Sequence, residues 1–102
     1  MEYLFLFNSA GDSKFCGGVF STREKAEQWI LRYKLSGILT KYPLDMGVYD
    51  WAIENHKFNP KKEIHFQPDF IGGFSSATQE HYHYESGNCL DEEIDNSPVE
   101  NA

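Results

Sequence analysis

The residue types and spacing best suited to chemistry in this 102-residue chain lie in one segment, Glu80-His81-Tyr82-His83-Tyr84-Glu85. In an extended strand, His81 and His83 point to the same face one two-residue repeat apart, so both imidazoles can be offered to a single metal ion. His65 or Glu63 could supply a third ligand, but no spacing fixes one, and neither a CxxC nor an HExxH pattern accompanies the pair. The plainer reading is two histidines that are solvated or hydrogen-bonded, and neither a metal nor a cofactor is expected. The same histidines, set beside Glu80, Glu85, Tyr82 and Tyr84, have the composition of an acid–base pair, because imidazole titrates near neutral pH and needs only an orienting carboxylate. There is no G-x-S-x-G elbow and no Walker or Rossmann glycine pattern, so the chain is not expected to be an enzyme. A small metal-binding or acid–base enzyme centred on His81 and His83 is the alternative.

Recognition is the other use for these residues. Tyr, Trp and His on a sheet face give rigid contact area, and aromatic residues anchor the centres of protein interfaces. The acids that could join them are Asp45, Asp50, Glu54 and Glu85, together with Asp91, Glu92 and Glu93 near the C-terminus. Net charge is −7, and its distribution matters more than its size: residues 1 to 85 carry 11 acids against 9 bases, whereas residues 86 to 102 carry five acids and no base. A nucleic-acid binder is expected to show a basic stripe, because phosphate neutralisation supplies most of its non-specific affinity, and none is present. The acidic balance favours a basic protein partner instead. The competing view is that the aromatics form the core and the acidic end only keeps the chain soluble.

The elements that must position these residues follow from the pattern. Tyr3 to Asn8 is β-prone, Ser9 to Lys14 is rich in turn formers, and apolar character returns from Phe15 to Phe20, which predicts an antiparallel hairpin. Ser21-Thr22-Arg23-Glu24 has the form of a capping box and opens a helix whose Ala26, Trp29, Ile30 and Tyr33 share one face, with Gly37 placed to stop it. Met46 to Ile53 predicts a strand with both faces partly apolar, on which Asp50 would need a hydrogen-bond partner or a wet cleft. Glu54 to Lys62 has loop composition, Ile64-His65-Phe66 alternates until Pro68, and the glycines of Phe70 to Phe74 suggest a bend. The expected fold is α+β: a mainly antiparallel sheet in the order β-β-α-β-β-β with one amphipathic helix on one face. Residues 1–86 are expected to form a single domain and residues 87–102 a disordered acidic tail. The 16 aromatic residues can supply most of the core.

Cys16 and Cys89 are expected to be free thiols in a reducing cytoplasm, since one lies early and the other in the expected tail. No run approaches the length needed to span a bilayer, and the N-terminus lacks the features of a signal peptide, so no membrane association is expected.

The segments Tyr42-Pro43-Leu44-Asp45-Met46-Gly47-Val48-Tyr49-Asp50-Trp51-Ala52 and Glu80 to Glu85 are the most specific. Gly18-Val19-Phe20-Ser21 running into Glu24 to Ile30, and Phe70 to Ala77, extend the match up to Gly87. On these the chain resembles a group of small, uncharacterised bacterial α+β proteins. Small acidic proteins of this look resemble toxin-immunity proteins, which are encoded beside a secreted toxin and block it in the cytoplasm, as in contact-dependent growth inhibition. The resemblance implies a protein that neutralises a cognate toxin with a basic surface, such as a nuclease, by covering its active site. A regulatory interaction domain with an unrelated partner is a further reading.

Overall fold

The structure, a computed structural model, describes residues 1–11 and 14–91. Among the described residues it is an α+β fold built on a five-stranded antiparallel sheet with three α-helices. The strands are β1 (Tyr3–Ser9), β2 (Gly18–Phe20), β3 (Gly37–Pro43), β4 (His81–Glu85) and β5 (Asn88–Cys89), arranged in the order β2-β1-β3-β4-β5. The helices are α1 (Arg23–Arg32), α2 (Val48–Glu54) and α3 (Pro68–Gly72), with a 3-10 turn over Glu63–Phe66.

Register fixes the two faces. Phe7 pairs with Leu39, Leu39 with Tyr82, and Phe5 with Phe20, so these side chains share a face. That face takes α1, and the core consists of Phe7, Leu39 and Tyr84 from the sheet with Ala26 and Ile30 from the helix. Leu39 and Ile30 are fully buried. Trp29 closes the side of this core, edge-on to Phe7 and tilted against Phe20. The opposite face carries Leu6, Val19, Ile38, Thr40, His81 and His83, and of these Val19, Ile38 and His83 are exposed.

The hairpin of β1 and β2 and the helix after it stand where the sequence placed them, with the cap one residue later than expected. Thr22 rather than Ser21 is the N-cap, its hydroxyl accepting from the Lys25 amide at 3.2 Å. The helix ends five residues before Gly37, Lys34 takes a left-handed conformation beyond it, and Gly37 instead opens β3.

Between β3 and β4 the expected strands are replaced by helices. Met46 to Ile53 is not a strand: Gly47 caps α2, Tyr49 and Ala52 lie three residues apart on its buried side, and Asp50 stands exposed in its first turn. Ile64 to Phe66 forms the 3-10 turn, and Pro68 occupies the first turn of α3, where its missing N–H costs nothing. Phe70 in α3 and Phe74 just beyond its end pack tilted against each other at 5.7 Å. A second aromatic cluster of Tyr49, Phe58, His65, Phe70 and Phe74 holds this excursion together, with ring centroids 4.9 to 6.3 Å apart.

The sheet also runs past residue 86, where the folded domain was expected to end. Ser86 and Gly87 both have positive φ and make a two-residue hairpin turn that brings β5 back along β4. Residues 88–91 therefore belong to the folded unit, and the remainder of the expected tail lies outside the described residues.

Candidate functional site

Strand alternation places His81 and His83 on the sheet face opposite α1, beside their register partners Thr40 and Ile38. The two rings meet edge to face at 5.1 Å. The His81 Nδ1 sits 2.7 Å from the Gln79 carbonyl oxygen. A carbonyl can only accept, so this nitrogen carries the proton. His83 is held by the chain that returns from β5: Asp91 accepts from the His83 amide at 2.5 Å, and its two carboxylate oxygens lie 3.3 Å from His83 Nδ1. The hydrogen bond from the His83 amide is the main cause that holds the Asp91 carboxyl below the usual carboxylate range.

At this end of the sheet His83 and Ile38 open onto a depression of about 640 Å³. Its walls are Asn8, Ser9 and Ala10 at the end of β1, Ser36 and Gly37 at the start of β3, Tyr84 and Glu85 from β4, and Leu90. Gly37 is needed here for space, because a Cβ on it would overlap the Asn8 carbonyl oxygen and come within 2.7 Å of the Phe7 ring. The floor is apolar, with Ile38 and Leu90 both more than a third exposed, and the charged residues around it are Glu85 and Asp91. Among the described residues, no Lys or Arg lines it.

The tyrosines of the same segment face the other way. The Tyr84 hydroxyl donates to Glu27 Oε2 at 2.6 Å, and that oxygen also takes Arg23 Nε at 3.0 Å. Arg23 lies over the Tyr82 ring at 3.7 Å, the Tyr82 hydroxyl donates to Glu80, and Lys41 Nζ lies 3.5 Å from Glu80 and 4.5 Å from the Tyr3 ring centroid. Burial and the bond to Glu80 push the Tyr82 phenol up to about 12, while the same bond holds the Glu80 carboxyl below its usual range. Burial pushes Tyr84 up as well. Both phenols are held protonated, on the opposite side of the sheet from the imidazoles. The acid–base set assembled from the sequence is thus divided by the sheet.

The remaining sequence-predicted residues are dispersed. Asp45 occupies a left-handed turn position, Asp50 the first turn of α2 and Glu54 its last, and among the described residues no hydrogen bond, ion pair or ring contact joins them to the histidines. His65 is turned away as well. Its Nδ1 accepts from the Lys61 and Lys62 amides at 3.0 and 3.1 Å, and its ring packs between Phe58 and Phe70. Glu92 and Glu93 lie outside the described residues. Among the described residues, no group of three His, Cys, Asp or Glu side chains could hold a metal ion. Both cysteines are free, Cys16 exposed and Cys89 half-buried beside Arg23. Nor is any helix among the described residues long and apolar enough to cross a membrane. What the sequence reading missed is Ile38, Leu90 and the backbone of Gly37. The Ser86-Gly87 dipeptide was the available signal, since it marks the turn that brings Leu90 and Asp91 to His83.

Residues 4–90 match the family model described as "Domain of unknown function (DUF7710)". No curated protein and no solved structure matches the chain.

Proposed function

The chain belongs to the DUF7710 family of domains of unknown function, and from that premise we propose that it is an immunity-type binding protein that neutralises a cognate bacterial toxin by covering it. The observation that carries this reading is the depression at the end of the open sheet face. Its floor of Ile38 and Leu90 is apolar, and His83, Glu85 and Asp91 supply a polar and acidic rim. An apolar centre with a charged rim is the anatomy of a protein interface, and an acidic rim suits a basic partner such as a nuclease. Glu92 and Glu93 follow Asp91 directly in the chain and add charge of the same sign. The protein then acts in the cytoplasm by binding alone, with His83, Glu85 and Asp91 in the interface and Tyr82 and Tyr84 stabilising the sheet behind it.

Asp45, Asp50 and Glu54 sit in and around α2 and do not line this depression. Co-expression with the product of the adjacent upstream gene tests the proposal. Restored growth with a stable complex supports it, and continued killing with no complex sinks it. Rescue that is insensitive to ionic strength and to Glu85→Lys would retain the immunity function but remove the electrostatic part.

A further inference from the structure

The 3-10 turn inverts the usual pattern of burial. His65 points inward, packed between Phe58 and Phe70, while its neighbours Ile64 and Phe66 are 59% and 58% exposed. The arrangement is fixed by bonds around His65: its Nδ1 accepts from the amides of Lys61 and Lys62, and its carbonyl accepts from the Tyr49 hydroxyl at 2.9 Å. Two large apolar side chains are thus presented to solvent on a braced turn. Exposed apolar side chains held in place in this way can anchor a partner. The charge around it is opposite to that of the chain as a whole. Between residues 56 and 66 stand Lys57, Lys61 and Lys62 against the single acid Glu63, in a protein of net charge −7.

This basic, apolar tip needs an acidic partner with an apolar socket, and the same molecule carries one at the open sheet face. The tip cannot reach its own socket by a short route. The excursion that bears it leaves the sheet after Pro43 and returns at Glu80, whose carbonyl accepts from the Lys41 amide at 2.9 Å. The depression lies at the other end of β3, around Gly37. We propose that the domain self-associates head to tail, with the Ile64 and Phe66 tip of one copy seated in the Ile38 and Leu90 depression of the next. The tip lysines then face Glu85 and Asp91. The contact is heterologous, so it joins copies into a ring or an open chain according to the rotation it imposes. It is small, and therefore weak and concentration-dependent. The proposal goes beyond the binding function and is read on the protein alone. Where both hold, a partner bound at the depression competes with the next copy and dissolves the assembly.

Sedimentation velocity over a concentration series tests it. The expected result is a weight-average sedimentation coefficient that rises with concentration at low salt and falls back at about 0.5 M salt, where screening is nearly complete. The double variant Ile64→Ser/Phe66→Ser removes the tip, and Ile38→Asp blocks the depression. All three positions are exposed, and circular dichroism checks that each variant is folded. Each variant alone is expected to remain a monomer, whereas an equimolar mixture forms a one-to-one pair, because one copy retains the tip and the other the socket. Lys62→Glu, which leaves the apolar residues in place, is expected to lose the salt-sensitive part. A wild-type protein that stays monomeric throughout, or variants that fail to pair when mixed, would overturn the proposal. Growth rescue by the neighbouring gene product reads out separately, so the failure of either idea is visible by itself.

Discussion

Replacing Gly37 by alanine probes the junction on which both the sheet and the depression depend. The added Cβ would overlap the Asn8 carbonyl oxygen and lie within 2.7 Å of the Phe7 ring and 3.0 Å of the Ser9 Cα. Two of these neighbours are backbone, and Phe7 is a buried core ring, so no flexible side-chain end can yield. Relief requires β1 and β3 to separate where Ser9 pairs with Gly37 and Asn8 with Ile38, and it strains the adjoining bond from the Ala10 amide to the Ser36 carbonyl. Overpacking of this kind costs about 1–3 kcal/mol, and each ladder hydrogen bond lost adds about 1 kcal/mol. The reduced freedom of the unfolded alanine chain returns about 0.4–1 kcal/mol. The expected net loss is about 3 kcal/mol, which for a domain of this size lowers the midpoint by roughly 12–24 °C. Urea and thermal unfolding followed by circular dichroism measure it. Gly72→Ala is the control, because a Cβ there meets nothing within 4 Å. A Gly37→Ala loss below about 1 kcal/mol, small even for overpacking, or an equal loss in the control, would refute the reasoning and with it the close approach of β1 and β3.

Three further outcomes follow from the same structure. Leu39→Ala empties a fully buried site between β1, β4 and α1 and should cost about 2–5 kcal/mol in urea unfolding. In acid, the Asp91 carboxyl is held below its unfolded value, so its contribution is present above the ordinary carboxylate range and is lost as pH falls through the folded value. The stability gap between the wild type and Asp91→Asn should accordingly stay constant above the ordinary carboxylate range and narrow as pH falls below it. In alkali the sign reverses for Tyr82: its folded value is raised from 10.0 to about 12, so its contribution is complete below 10.0 and is lost as pH rises toward 12. An ultraviolet titration of phenolate should show a late step that Tyr82→Phe removes. If that variant titrates like the wild type, Tyr82 is not bonded to Glu80 as described.

The parts of the fold legible in the sequence are those whose signals are local. The β-prone run of Tyr3 to Asn8, the turn residues after it and the run from Ser21 place β1, β2 and α1, since β propensity, turn chemistry and capping act within a few residues. Met46 to Ile53, Ile64 to Phe66 and the start of Phe70 to Phe74 differ from the expected strands and bend because their apolar residues serve a long-range aromatic cluster. In seven residues of α2, Tyr49 and Ala52 fit either a strand or a helix, and only contact with Phe58, Phe70 and Phe74 decides between them. Pro68 illustrates the same ambiguity, since it can break a ladder or begin a helix. At the site, the shared face of His81 and His83 followed directly from strand period, whereas the bond between Asp91 and His83 required knowing that Ser86-Gly87 reverses the chain. The depression could not be read from any single segment, because three strand ends and Leu90 build it.

The central claim is that the open end of the sheet binds a partner protein, and co-purification with the product of the adjacent gene tests it most directly. The tagged wild type and the folded variant Ile38→Asp/Leu90→Asp are each expressed with that product. The account expects a stable complex with the wild type and its loss with the variant. No complex with the wild type, or a complex retained in full by the variant, would contradict it.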